Sequence, residues 1–316
     1  MTVTVKITEI NEPGVVGIFA SPDTPGPWPA IVAFGGSSGG LGPSGGWAPA
    51  LASEGYAVLA VAYFAAPGLP SELVDIEVEV VERAVTWLFA SGQVAGKAVG
   101  VMGTSRGSEL ALLAGVLLDR VGPIVALAPS GISWCGLGAG GPVDAPAWRF
   151  RGEPIPYAAM TGGATPHTST AGPVALRPMF DAALATPTIW AHAEIPVERA
   201  SGSILLVSGE DDAMWPSTPM AELIARRAVK CGFPHRVVHL HYVGAGHTGG
   251  GVPDSPGETT VHHPLTGVTY ALGGTLEGNA AARTDSWPRI IDFLHAELAP
   301  QGRKARNQRA TEPRSR

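Results

Sequence analysis

The sequence predicts an α/β fold in which a mostly parallel central sheet is covered by helices on both faces. Three observations carry the prediction. Short, continuous apolar runs such as residues 30–34 and 56–62 suit strands buried on both sides. Helical stretches with apolar faces lie between them. The two kinds alternate along the chain, and right-handed crossovers turn such alternation into a parallel sheet.

Residues 3–10 alternate apolar and polar with period two, and 15–20 form a second apolar run after Pro13-Gly14, which is the pattern of a β-hairpin. A proline-rich stretch leads into the strand at 30–34, which runs out into Gly35-Gly36-Ser37-Ser38-Gly39-Gly40. Residues 47–54 form a short helix closed by Gly55, and 56–62 the next buried strand. An amphipathic helix is expected over 71–90: Ser71 can cap it, and Leu73, Ile76, Val80, Ala84, Trp87 and Leu88 share a face. An apolar strand at 99–102 and an apolar helix running to residue 118 flank the motif discussed below, and a strand follows at 124–128.

The alternation then breaks. Residues 129–199 are rich in Gly, Pro and Thr around Trp134, Trp148, Tyr157, Phe180 and Trp190. A structureless loop of that length is rare in a compact domain, so an inserted cap is expected there in preference to a set of short helices. A strand at 203–208, a helix at 218–230, a strand at 236–243 and a helix at 285–298 complete a single domain over 1–300 with no internal repeat.

Composition bounds the function. The 316 residues are 45% hydrophobic, enough for a substantial core, and the 42 glycines and 29 prolines imply long ordered loops. Net charge is −6, but residues 301–316 hold six Lys/Arg against one Glu, leaving about −11 for the rest. An acidic body argues against nucleic acid as the partner, and 301–316 is expected to be a disordered basic tail. Cys135 and Cys231 suggest neither a disulfide framework nor a cysteine metal site, so a reduced cytoplasmic protein is expected. The N-terminus lacks a basic stretch followed by an apolar one, and no apolar run approaches the roughly twenty residues of a membrane span. No membrane partner is expected, and the sequence is compatible with a homo-oligomer.

The chemistry centres on Gly103-Thr104-Ser105-Arg106-Gly107 between a strand and a helix. This is the G-x-S-x-G nucleophile elbow in its strand-turn-helix setting, where a β-carbon two residues either side of the serine would collide with backbone. Ser105 is the candidate nucleophile. Ligand sites in such sheets open at the carboxyl ends of strands, so its partners should also follow strands. Asp211-Asp212 follows the strand at 203–208 and supplies the orienting acid, Asp212 by preference and Asp211 as its near alternative; both could instead merely cap the next helix. His247 follows the strand at 236–243 among small residues and is the candidate base. Ser105, Asp212 and His247 fall in the chain order of the α/β-hydrolase triad. In that arrangement His247 takes the Ser105 proton while Asp212 fixes the imidazole tautomer. The Gly35-Gly36-Ser37 loop and the N–H of Arg106 supply the oxyanion donors, with Gly36 and Ser37 the loop candidates. A phosphate-binding glycine loop is discounted because neither a P-loop ending nor G-x-G-x-x-G is present.

Other residues leave two readings open. Arg106 could meet an anionic substrate, pair with Glu109, or be exposed. Trp47, Trp134, Trp190 and Trp215 are substrate-wall candidates that could equally be core. His239 with His241, and His262-His263, have metal-binding potential, but no carboxylate or cysteine spacing completes a site, so neither metal nor cofactor is expected.

Together Ala33-Phe34-Gly35-Gly36, Ala62-Tyr63, Gly103-Thr104-Ser105-Arg106-Gly107-Ser108-Glu109-Leu110, Ile195-Pro196-Val197-Glu198-Arg199-Ala200, Gly209-Glu210-Asp211-Asp212 with Trp215, and Gly246-His247 resemble the C-terminal domain of the acyl-CoA thioesterase and bile acid-CoA:amino acid N-acyltransferase family. The family also has the dienelactone-hydrolase-like character of many α/β-hydrolases. The resemblance runs from about residue 29 to 298 and implies Ser105, Asp212 and His247 in the roles given above. It implies a small-molecule acyl thioester or ester as substrate and an acyl-enzyme route in which water or an amine releases the acyl group. Serine, where amidating members carry cysteine, tilts the expectation to hydrolysis. Ester or lactone hydrolysis and acyl transfer are the enzymatic alternatives. A binding module that lost activity is the least favoured, since all three residues are present. Two departures accompany the resemblance. About 28 residues precede the first core strand, so the β-sandwich domain of the animal enzymes is expected to be absent, and Thr248-Gly249-Gly250-Gly251 lacks their aromatic and proline pattern.

Overall fold

The period-two alternation at the N-terminus becomes an antiparallel hairpin, β1 (Val5–Glu12) with β2 (Val15–Pro22), in a computed structural model that describes residues 3–160, 172–255 and 257–298. The apolar runs become β3 (Ala30–Phe34), β4 (Ala57–Ala62), β5 (Val99–Thr104), β6 (Val121–Leu127), β7 (Ile204–Gly209) and β8 (Val237–Tyr242). They form one eight-stranded sheet in the order β1-β2-β4-β3-β5-β6-β7-β8. Strand β2 pairs antiparallel with both β1 and β4, and every pairing from β4 to β8 is parallel.

Alternate residues of each central strand enter different cores. Val32, Phe34, Leu59 and Val61 pack with helices α2 (Glu79–Ala90), α3 (Arg106–Leu117) and α5 (Ser217–Lys230). Ile31, Ala33, Val58 and Ala60 pack with α1 (Ser44–Ser53) and the closing helix α6 (Leu276–Leu298). With both faces covered, the strands have no solvent side, and this is why they read as unbroken apolar runs. The α/β-hydrolase fold is therefore present, and it carries the ends of β3, β5, β7 and β8 to one edge of the sheet.

Two helices differ from expectation. The helix expected over 71–90 begins only at Glu79. Ile76 and Glu77 instead pair as a short strand with Trp148 and Arg149, Leu73 bridges Leu137, and Asp75 takes φ 56°. Leu73 and Ile76 are buried as their spacing suggests, but by extended chain pairing with a distant segment. Ser71 accordingly caps nothing. The closing helix begins at Leu276, nine residues before its expected start. Gly278 and Asn279, poor helix formers, hid that first turn. A β-carbon at Gly278 would stand 2.1 Å from the Gly244 carbonyl oxygen, so close packing requires the glycine.

Residues 129–199 leave the sheet between β6 and β7. They contain the antiparallel pair Cys135–Gly138 and Gly141–Pro146, the helix α4 (Arg177–Leu184) and a turn of helix at Pro187–Trp190. Residues 161–171 of this segment, and the tail 301–316, lie outside the described residues. Ile132, Trp134, Phe180 and Ala193 from the segment form a small third core with Trp215 and Met220. Among the described residues no helix is long and apolar enough to cross a membrane.

Candidate active site

Ser105 joins β5 directly to α3 with φ 55° and ψ −125°, a left-handed φ that costs a non-glycine residue about 1–3 kcal/mol. Neighbouring bonds hold it there. Its N–H donates to the Leu127 carbonyl at 2.9 Å, and its carbonyl accepts from the Ser108 N–H at 2.8 Å and the Ser108 hydroxyl at 2.6 Å. The flanking glycines have the steric role expected of them. A β-carbon at Gly103 would stand 2.0 Å from the Gly107 carbonyl oxygen, and one at Gly107 2.0 Å from that of Gly35. The second contact packs the elbow against the glycine loop after β3.

Asp212 follows β7 and His247 follows β8, and their side chains meet. His247 Nδ1 lies 2.8 Å from Asp212 Oδ2. Asp212 is fully buried, and its Oδ1 accepts the N–H groups of Met214 at 2.9 Å and Trp215 at 3.2 Å. Both carboxylate oxygens are therefore engaged, so Nδ1 of a neutral His247 carries the proton and Nε2 remains an acceptor. Asp211 is exposed, and among the described residues the hydrogen bond to the ring comes from Asp212 and not from Asp211. Asn279 of α6 accepts from the Gly246 N–H at 2.7 Å and fixes the loop from behind. Ser105 and His247 line one cavity without a direct hydrogen bond among the described residues, a spacing common in ligand-free sites.

The oxyanion candidates sit beside the serine. A β-carbon at Gly36 would stand 3.2 Å from Ser105 Cβ. The Tyr63 hydroxyl donates to the carbonyls of Gly35 at 3.0 Å and Gly36 at 2.9 Å, and burial pushes the phenol pKa up, keeping it a donor. The backbone N–H groups of Gly36, Ser37 and Arg106 have no acceptor among the described residues.

The Arg106 guanidinium turns away. Its Nη2 donates to the carbonyls of Trp134 and Cys135, each at 2.9 Å, and Nη1 lies 3.0 Å from Glu109 Oε1. Of the uses left open for Arg106, the ion pair is the one realised. Glu109 is fully buried, and its Oε2 accepts from Trp148 Nε1 at 2.9 Å and from the Trp134 N–H at 3.3 Å. Burial raises its pKa to about 7, against the opposing pull of Arg106 and the two donors. Glu109→Leu strands a buried cation under the elbow helix, and chemical denaturation should show a loss of about 3–5 kcal/mol.

Ser105 stands between two cavities. The larger, about 330 Å³, is lined by His247, Trp47, Thr248, His263 and Arg283 among others. The smaller, about 80 Å³, is apolar, with Trp134, Leu137, Met179, Phe180 and Trp215 in its wall. Ser37, Ser105 and Met214 belong to both. Trp134, Phe180, Trp215 and His247 follow one another edge to face, with centroids 4.9, 5.7 and 5.8 Å apart. Trp190 donates to the Leu184 carbonyl at 3.2 Å and lines neither cavity.

The sequence analysis singled out His263 only as half of a histidine pair. A hairpin of Thr260–His262 with Thr269–Ala271 carries it to the glycine loop after β3. His263 Nδ1 accepts the Thr266 N–H at 3.3 Å, so the neutral ring bears its proton on Nε2 and donates to Ser37 Oγ at 3.1 Å. Burial lowers its pKa and favours that neutral form. The Ser37 hydroxyl proton is then left to face the cavity. No local pattern announces a contact between residues 226 positions apart. His239 bonds Ser208 Oγ at 2.8 Å, and His241 lies 3.5 Å from Glu210. Among the described residues no three His, Cys, Asp or Glu side chains are grouped to hold a metal ion.

Residues 76–300 match the family described as BAAT / acyl-CoA thioester hydrolase C terminal. Similar curated proteins include acyl-coenzyme A thioesterase 1 of Mus musculus, 28% identical over 94% of this chain and 66% of that protein. Another is acyl-coenzyme A amino acid N-acyltransferase 1 of Mus musculus, 32% identical over 95% of this chain and 67% of that protein. The chain thus spans about two thirds of the length of these relatives. Among solved structures, a dienelactone hydrolase-like promiscuous phosphotriesterase from metagenomic libraries superposes with a TM-score of 0.52 at 15% identity, covering 94% of this chain and 99% of that one. That likeness concerns the fold.

Proposed function

The chain belongs to the BAAT / acyl-CoA thioester hydrolase C-terminal family, and on that premise we propose that it is a serine hydrolase cleaving an acyl thioester through an acyl-Ser105 intermediate. The observation that carries the reading is the Asp212–His247 pair at 2.8 Å opening on the same cavity as a serine held at the elbow. Ser105 Oγ attacks the thioester carbonyl carbon as His247 Nε2 takes its proton. The oxyanion is met by the free N–H groups of Gly36, Ser37 and Arg106. Collapse breaks the C–S bond, and the thiol leaves with the proton held by His247. Water then attacks the acyl-serine, His247 again accepts a proton, and the carboxylic acid departs as Ser105 recovers its own.

The apolar cavity walled by Trp134, Phe180 and Trp215 suits the acyl chain, and residues 129–199, which supply much of that wall, act in this reading as a cap. Trp47 belongs to the other cavity, where the departing thiol or an incoming acceptor has room. Cys135 and Cys231 are free, which supports a reducing, cytoplasmic setting. Incubation with a panel of acyl thioesters, followed by rapid acid quenching and intact-mass measurement, should show an adduct of the acyl mass on the Ser105 peptide. Turnover with no adduct under single-turnover conditions would point to direct attack by water. Adding amines to the same panel separates hydrolysis from acyl transfer.

A further inference from the structure

The two cavities meet at the serine elbow, and the residues common to both walls are Ser37, Ser105 and Met214. A substrate with its acyl chain in one cavity and its thiol in the other holds its carbonyl at that junction. Met214 has no polar side chain to offer there, and its N–H is taken by Asp212. Ser37 remains, and beside its backbone N–H it carries a hydroxyl.

The direction of that hydroxyl is set by His263. This histidine is 2% exposed and fixed through its backbone: its N–H donates to the Val268 carbonyl at 2.9 Å, and its carbonyl accepts from the Gly267 N–H at 2.8 Å. Its ring stands edge to face against Tyr270, with centroids 5.7 Å apart. Because Nδ1 accepts from the Thr266 N–H, the one proton of the neutral ring is on Nε2, 3.1 Å from Ser37 Oγ. Ser37 Oγ therefore accepts from the ring, and its own proton has no acceptor among the described residues. The open side of this half-buried residue is the junction of the cavities.

A tie between the hairpin and the glycine loop does not need this order of donors, since a hydroxyl donating to a ring nitrogen would hold the two together equally well. The order matters for a third group. A hydroxyl whose lone pair is occupied by an N–H is biased to donate, and the chain of two hydrogen bonds polarises it further.

We propose that the Ser37 hydroxyl is a side-chain donor to the oxyanion, acting beside the backbone N–H groups, and that His263 is the positioning residue that keeps it a donor. This rests on the reading of Ser105 as nucleophile, and it adds two residues to that site.

Ser37→Ala keeps the backbone N–H and deletes the hydroxyl. Thioester kcat should fall about 10- to 100-fold, the range of a hydrogen bond to a charged group, with KM little changed because the bond gains strength only as the oxygen becomes charged. His263→Ala should cost a similar factor when Ser37 is present and no more than about twofold in the Ser37→Ala background. His263→Gln, whose amide N–H can stand in for Nε2, should restore most of the loss. Losses that multiply in the double variant would make His263 a structural tie and overturn its role, and an unchanged kcat in Ser37→Ala would overturn the proposal outright. Nitrogen NMR of the wild type at neutral pH, with the His263 signals assigned by their loss in His263→Gln, reads the donor order without turnover. A proton on Nε2 is expected, and one on Nδ1 overturns the proposal. An alkyl trifluoromethyl ketone separates this proposal from the reading beneath it. Ser105 Oγ adds to its carbonyl carbon, the serine proton passes to His247, and the C=O π pair moves onto oxygen as a stable oxyanion. Ser37→Ala should hold that adduct about 10- to 100-fold more weakly. An adduct held equally well by wild type and Ser37→Ala overturns the proposal and leaves Ser105 as the nucleophile. Neither adduct nor turnover in the wild type would overturn the hydrolase reading, and this proposal with it.

Discussion

Ser105→Ala is expected to lower thioester turnover by about 10⁶-fold while leaving the protein folded, because in the proposed mechanism it deletes the attacking atom and little else. The stability half of that expectation follows from the local structure. Ser105 Oγ makes no hydrogen bond among the described residues, and the bonds that hold the elbow run through the Ser105 backbone to Leu127 and Ser108. Alanine inherits the same φ of 55° at a similar conformational cost, so the unfolding free energy should shift by no more than about 0.5 kcal/mol. Single-turnover kinetics and denaturation of the same preparation check both halves. Full turnover by a folded Ser105→Ala would place the chemistry elsewhere. Loss of turnover accompanied by unfolding would mean that the side chain is structural, against its lack of partners.

How much of this could be seen in the sequence depended on how local its cause was. The strands at 30–34 and 57–62 were legible because burial on both faces writes an unbroken apolar run. The elbow was legible because its five-residue spacing is local: Gly103 answers to the Gly107 carbonyl within the motif, although Gly107 itself answers to Gly35 in the loop after β3. Asp212 and His247 could be located as positions after strands, with Asp212 preferred to Asp211, and in the structure it is Asp212 that meets the ring while Asp211 is exposed. Contacts between remote segments left no local trace. Leu73 and Ile76 have helical spacing, yet they pair with Leu137 and Trp148. His263 reaches Ser37 across most of the chain, and Arg283 lies in a helix whose first turn was hidden by Gly278 and Asn279. The additional polar groups of the cavity are thus the ones that tertiary structure alone assembles.

The second large effect is expected from Asp212→Asn, and it separates orientation from mere proximity. The substituted amide keeps an oxygen that can go on accepting from the Met214 and Trp215 N–H groups, so the loop after β7 has reason to stay in place. Its NH₂ then faces His247 Nδ1, at a contact that is 2.8 Å in the native protein. A donor at that position requires Nδ1 to accept, which places the ring proton on Nε2 and removes the lone pair that receives the Ser105 proton in the proposed mechanism. The expected fall in kcat is about 10⁴-fold, the size associated with a misplaced tautomer in an otherwise intact site. Nitrogen NMR of His247 should report the proton on Nδ1 in the native protein and on Nε2 in the variant. Asp211→Asn is the matched control: an exposed carboxylate that makes no hydrogen bond to the ring among the described residues should change kcat by no more than about twofold. If instead Asp211→Asn were the damaging change, the orienting acid would have to be exchanged between these neighbours on substrate binding, which would require the loop after β7 to give up the two N–H bonds now fixing Asp212. If neither change slowed turnover, His247 would need no oriented proton, and the general-base role assigned to it would fall with the acid.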